Sequence, residues 1–342
     1  MDRQVNALDF SASIVPEKVK DISHPVYRDP YFDALKAVAI FMVVLQHCYI
    51  YLCGGMYEDS IVNQTVSLIS VPTFMMVSGY FYFKGSKNLK KFIMREGQLI
   101  LPFIVWSFFY FGAFYDIFYR GIGLEDFSLG LVVDSYFCSP IWFLRTLALI
   151  ICLAYICSRL RGHSDVLCMT VIFILFNILS FCVTKRFAIQ SIAANMGYFI
   201  IGYSLCKYQG IKSHWFKPLG IICITVFSIG ILLKVNNIQL GGVNFKVCNY
   251  SGIITLAFIL SLIKDRRIIS WCPLQYLGKH TLDVYVTHFA IVYLLMLLNV
   301  PVIVALPFLC MAGYSIFTIV ISLIISGFIV RTPLKSLIYG KF

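Results

Sequence analysis

Residues 31–53 read YFDALKAVAIFMVVLQHCYIYLC. The stretch is almost wholly apolar, yet Asp33 and Lys36 stand near its start and His47 lies deep inside it. A bilayer core is roughly 30 Å thick, so about 20 apolar residues make a spanning helix. The stretch meets that length and carries an imidazole into the membrane, where ionisable side chains are costly and by default functional. Lys36 and His47 are eleven residues apart. At 3.6 residues per turn they fall within about 20° of each other on one helix face, about 16 Å apart along the axis. Two readings compete at this point. In one, His47 is a satisfied interior histidine and Lys36 snorkels to the headgroups; in the other, this face carries a function.

The rest of the chain sets the class. Of 342 residues, 60% are hydrophobic and 13% charged, with a mean hydropathy of +0.84. A soluble chain of this length exposes far more charge, so the composition predicts an all-α, polytopic membrane protein. The net charge of +12 does not point to nucleic acid, because the basic residues fall between apolar runs and suit topology and anionic lipid headgroups instead. The twelve cysteines form no CxxC and no zinc-type Cys/His spacing, so no metal is expected. Cys53, Cys138 and Cys248 fall near predicted outer loops, which leaves a disulfide among them open.

Ten apolar segments are expected, at roughly 33–53, 62–83, 92–118, 140–158, 165–184, 187–207, 215–233, 250–263, 281–299 and 303–330. The eighth is short and extendable upstream through Val247; the last is long enough to tilt or to bend near Gly313. With the N-terminus inside, twenty of the 28 basic residues fall in inner segments. Only Arg120, Lys185, Arg186, Lys234 and Lys246 fall in outer loops, while Lys36, Arg95 and Arg145 lie within spans. This asymmetry predicts both termini in the cytoplasm. The organisation that follows is a cytoplasmic tail over 1–30, a transmembrane domain over 31–332 and a cytoplasmic tail over 333–342. The first 30 residues lack the apolar core and cleavage site of a signal peptide.

Chemistry-bearing residues cluster in four places. The second span ends ISVPTFMMVSGYFYF, followed by KGSKNLKK and FIMREGQLILP; Pro72 bends a helix, Gly79 permits close approach, and Arg95 interrupts the third span. With alternating spans, Lys36, Ser78, Gly79 and Arg95 come to a similar, cytoplasmic depth, where cations suit phosphates. The fourth span opens SPIWFLRTLAL, with Trp142 in the outer aromatic belt and Arg145 about one turn deeper, within reach of His47 or free to snorkel. The ninth begins LQYLGKHTLDVYVTHF, where Tyr285 and His288 lie one turn apart and Asp283 points elsewhere. On straight-helix geometry His288 is roughly 10 Å in from the cytoplasmic side, lower than His47, which marks it as a donor-site or structural histidine.

Taken together, Lys36 with His47 eleven residues on, VPTF before Ser78-Gly79-Tyr80, the basic run ending in a proline, the WFL element and the LGK-x-[ST]-L-x-[IV]-Y-x-x-H pattern resemble the acyltransferase-3 family of integral-membrane acyltransferases. The resemblance covers 31 to about 120, 139–148 and 274–289; where the family often has RxxR, this chain has Arg95 and then Gln98. It implies an O-acyltransferase of the bacterial inner membrane, most simply acetyl. Acetyl-CoA or another acyl-CoA would be co-substrate, with no bound cofactor, and a sugar hydroxyl of an extracytoplasmic or lipid-linked glycan the acceptor. On this reading His47 is the general base, since a neutral imidazole with an ordinary pKa of about 6.5 accepts a hydroxyl proton near neutral pH. Lys36, Arg95, Ser78 and Gly79 would bind the donor, Arg145 and Trp142 would serve the oxyanion or the acceptor, and Asp33, Tyr285 and His288 would support them. Membrane lipids are the other expected partner. The competing class is a proton-coupled transporter or flippase using the same buried charges as a relay. It predicts inverted repeats, and the sequence has no visible internal repeat.

Overall fold

The first helix is specified at its start by local chemistry. Asp29 is its N-cap, its side chain accepting the Tyr31 N–H at 3.0 Å, and Pro30 occupies the first turn, where no N–H is needed. The structure, a computed structural model, describes residues 29–53, 60–85, 88–110, 141–160, 164–182, 188–236, 242–264, 267–303 and 305–341. Over these residues it is helical, with no strand. The helices are α1 (Pro30–Leu52), α2 (Ile61–Lys84), α3 (Leu89–Phe108), α4 (Trp142–Cys157), α5 (Asp165–Cys182) and α6 (Ala188–Lys207). There follow α7 (Phe216–Val235), α8 (Gly242–Leu262), α9 (Cys272–Lys279), α10 (Thr281–Leu297), α11 (Pro307–Ile329) and α12 (Lys335–Tyr339). Ser60 and Asn88 cap α2 and α3 in the same manner as Asp29, with side chains accepting from Asn63 N–H and Lys90 N–H.

Each expected apolar segment contains a helix, the part of the third beyond Tyr110 lying outside the described residues, and the helices differ from expectation at two places. The eighth runs from Gly242 rather than about 250, because Lys246 and Asn249 are carried within the helix: Lys246 donates to Asn177 Oδ1 of α5 at 2.8 Å and Asn249 to Tyr198 of α6 at 2.8 Å. The segment before the ninth span is a helix of its own, α9, bent 83° from α10 at His280. The last span is one continuous helix through Gly313.

Burial divides the helices into a centre and a rim. α1 is the centre, packed against α2, α8, α9, α10 and α11, with Ala34, Leu35, Ala37, Ala39, Ile40 and Val44 fully enclosed. α2 and α6 form the most extensive helix pair. At Gly79 a Cβ would stand 2.0 Å from the Phe199 carbonyl oxygen, and at Gly202 1.7 Å from that of Met76, so the two backbones touch where only glycine fits. At the rim, α5 is strongly apolar yet scarcely buried, and leaves Leu167, Val171, Ile174, Leu175, Ile178, Leu179 and Phe181 exposed. At about 1.5 kcal/mol per large apolar side chain, exposing these to water costs on the order of 10 kcal/mol. That equals the whole stability of a typical domain, so this surface belongs in lipid. By length and apolarity α1, α2, α5, α7 and α11 each suffice to cross a membrane, and the bent α9–α10 pair makes a sixth.

The C-terminal residues are packed rather than loose. Trp106 Nε1–H of α3 donates to the Ile338 carbonyl at 2.9 Å, and Tyr339 is buried. Lys341 Nζ lies 2.5 Å from Asp283, which also takes hydrogen bonds from Ser326 of α11 and from His280, each at 2.7 Å. Asp283, which the helix spacing turns away from Tyr285 and His288, thus joins α10, α11 and the chain end. The 1–28 segment and the 119–139 loop lie outside the described residues.

Candidate active site

α1 and α10 run side by side, and they bring His47 and His288 together. His47 Nδ1 and His288 Nε2 are 2.8 Å apart, with ring centroids at 5.0 Å and planes within 23°. This corrects the lower depth expected for His288. Gly278 of α9 packs against the Asp33 carbonyl, where a Cβ would come to 2.1 Å, and from that contact α10 runs beside α1.

The hydrogen-bond network assigns the tautomers. His288 Nδ1 faces only carbonyl oxygens, those of Tyr285 at 2.7 Å and Val284 at 3.1 Å, so it carries the hydrogen. In a neutral His288 ring Nε2 is then a lone pair, and His47 Nδ1 must be the donor to it. A neutral His47 is left with its lone pair on Nε2. One side of the pair is sealed by aromatic rings: Phe289 stands edge-on to His47 at 5.6 Å and to Tyr51 at 5.3 Å. Tyr110, whose hydroxyl donates to the Val286 carbonyl at 2.5 Å, completes that side.

His47 also lines a cavity of about 360 Å³. Gln46 lies beside it, Ser67 and Pro72 come from α2, and Trp142 and Tyr285 from α4 and α10. The remaining polar wall is Asn195 and Tyr198 of α6 with Lys246 and Asn249 of α8. The sequence reading missed these four, because α6 and α8 register there only as apolar. The argument applied to His47 would have found two of them: Asn195 and Asn249 are polar groups inside apolar spans, each 6% exposed.

Arg145 does not line this cavity; its guanidinium stands over the Phe103 ring of α3 at 5.9 Å, while Trp142, one turn earlier, faces the cavity. Lys36 is paired with buried Asp33 at 2.7 Å and lies 6.0 Å from the Phe81 ring. Arg95 lies over the ring of Tyr82 at 5.5 Å. Both cations therefore gather at the C-terminal end of α2, against neighbouring side chains. Ser78 is half-buried, and Gly79 is occupied by its contact with α6. A second, larger cavity of about 1,020 Å³ opens at the N-terminal end of α1, between Asp29, Phe32 and Tyr80 on one side and Lys212, Lys217 and Lys264 on the other. Those three lysines are exposed, and the sequence reading treated them only as topology signals. Cys53 and Cys248 are buried, Cys53 Sγ beside Met311 Sδ at 3.6 Å; Cys138 lies outside the described residues.

An all-helical bundle with a lipid-type rim, enclosing a histidine pair and a cavity with polar residues beside its central helix, is a multi-pass membrane protein with a polar interior site. The chain belongs to the acyltransferase-3 family: the family's acyltransferase-domain model matches residues 29–327, which holds every helix described above except α12 and the last turn of α11. It is a membrane acyltransferase. No curated protein and no solved structure matches the chain.

Proposed function

We propose that this acyltransferase moves an acyl group, acetyl in the simplest case, from a cytoplasmic acyl-CoA to a sugar hydroxyl of an extracytoplasmic or lipid-linked glycan, with His47 as general base. The observation that carries this reading is the His47–His288 pair: a second ring, itself anchored on a backbone carbonyl, takes the Nδ1–H of His47 and leaves Nε2 to accept a proton at a polar cavity. This is the logic of a nucleophile–base–orienter relay, with His288 holding the base in one tautomer. The acceptor hydroxyl gives its proton to Nε2 as its oxygen attacks the thioester carbonyl. The C–S bond breaks, an ester C–O bond forms, and the proton passes to the departing thiolate to give the free thiol.

The donor side rests on charge and position. Lys36 and Arg95 at one end of α2, and the lysine-lined cavity at the same end of α1, offer cations for the phosphates of a nucleotide-bearing donor. The twenty-to-five bias of basic residues supports that end as cytoplasmic and ten spans with both termini inside. A bacterial inner membrane is the setting this implies.

The test uses the full chain in lipid nanodiscs with acetyl-CoA and candidate glycans, following thiol release and ester formation. His47→Ala is expected to remain folded and inserted while transfer falls by at least about 10²-fold, the scale of general-base catalysis. Near-normal turnover by His47→Ala would remove the imidazole from the chemistry.

A further inference from the structure

The cavity beside His47 contains a donor and an acceptor that the fold itself leaves unused. Asn249 is 6% exposed, and its Nδ2–H donates to the Tyr198 hydroxyl oxygen at 2.8 Å. Its Oδ1 is buried with no hydrogen-bond partner among the described residues, and both residues line the cavity. A buried amide oxygen left unpaired costs about 1–3 kcal/mol, so its presence at a cavity wall marks a place for a ligand hydrogen. The Tyr198 oxygen, having accepted from Asn249, keeps its own hydroxyl hydrogen to give.

We propose that Asn249 and Tyr198 are the specificity-determining wall of the acceptor site. They read one hydroxyl of an uncharged sugar ring, adjacent to the hydroxyl presented to His47. This rests on the acyl-transfer reading above and adds the chemical class of the acceptor's reacting unit. An accepting oxygen beside a donating hydroxyl matches a group that is both donor and acceptor, which is what a sugar hydroxyl is. A carboxylate or phosphate at that point has no hydrogen for Asn249 Oδ1 and would set oxygen against oxygen. The nearest cation of the wall, Lys246, donates to Asn177 Oδ1 at 2.8 Å. Size agrees: about 360 Å³ lies at the small end of the roughly 300–1,000 Å³ range of ligand pockets, room for one sugar ring. Trp142 and Val71 supply an apolar wall for the carbon face of that ring.

The experiment measures acetyl-CoA-dependent ester formation by the full chain in nanodiscs, with methyl pyranosides (glucoside, galactoside, mannoside), their single-deoxy analogues and the matching uronic acids as acceptors. At least one neutral pyranoside is expected to be acetylated, and the matching uronic acid poorly. One deoxy analogue is expected to lose about three- to tenfold in kcat/KM, the scale of one neutral hydrogen bond. Asn249→Ala and Tyr198→Phe are each expected to raise the acceptor KM by a similar factor, with the loss on KM rather than kcat. Both should abolish discrimination against that same analogue. Tyr198→Phe removes one oxygen only, so it answers the question even if Asn249→Ala fails to insert. Preference for the uronic acids, or discrimination unchanged in both variants, overturns the proposal. If no glycoside is acetylated by the wild type, the acyl-transfer reading fails by itself. Saturation-transfer NMR then decides the wall: methyl pyranosides must bind the wild type and lose binding in Tyr198→Phe, and absence of that difference overturns it.

Discussion

Replacing His288 tests the relay more sharply than replacing His47, because His288 lies one hydrogen bond away from the proposed proton acceptor. In His288→Ala the ring that takes His47 Nδ1–H at 2.8 Å is gone, and so is its anchor on the Tyr285 carbonyl at 2.7 Å. Two losses follow. A neutral hydrogen bond that holds the tautomer and ring orientation is worth about 0.5–1.5 kcal/mol, or roughly three- to tenfold in rate. In the transition state His47 becomes a cation and that bond becomes charge-assisted, worth about 1.5–3 kcal/mol, or roughly ten- to 150-fold. The second governs the rate, so kcat should fall by about ten- to 100-fold, less than for His47→Ala. Acyl-CoA affinity should hold, since Lys36 is about 16 Å from His47 along α1. His288→Gln, which can still offer an accepting oxygen, should recover part of the loss. The assay is single-turnover acyl transfer in nanodiscs, read beside ¹⁵N spectra of histidine-labelled protein. The spectra should report His47 with its hydrogen on Nδ1 in the wild type and a mixture in His288→Ala. A His288→Ala protein with kcat within about threefold of wild type, or with its loss in donor binding instead, would falsify the relay.

Three further outcomes are expected. Arg95→Ala should weaken acyl-CoA binding, measured by calorimetry, more than binding of a dephosphorylated analogue, because the lost interaction is charge-assisted; equal losses would make Arg95 structural. Gly202→Ala should lower stability by about 1–3 kcal/mol in thermal unfolding, since its Cβ meets a backbone carbonyl that cannot turn aside; an unchanged midpoint would contradict the close α2–α6 crossing. Cysteines introduced at 84–91 should be labelled only from the cytoplasmic side, and labelling from outside would overturn the proposed topology.

Much of this protein was legible in one dimension, because a bilayer turns composition into structure. A run such as 31–53 has to be a helix, since no other single segment satisfies its backbone in hydrocarbon. A histidine inside it has to be accounted for by something. The four motif groups were likewise local in sequence, and they sufficed to point to the family that the domain match bears out. What sequence could not supply was the partner of each polar group. His288 looked lower than His47 because depth was counted along a straight ninth span. The packing of α10 beside α1 puts the two rings in contact. Arg145, one turn from Trp142, appeared equally able to face His47, and the rotation of α4 against α3 sent it to Phe103 instead. Asn195, Tyr198 and Asn249 were single polar residues in apolar runs 50 residues apart, with no motif to join them. Only the packing of α6 and α8 against α2 makes them one wall, because helix rotation and crossing are set by side-chain contacts between helices that hydropathy does not encode.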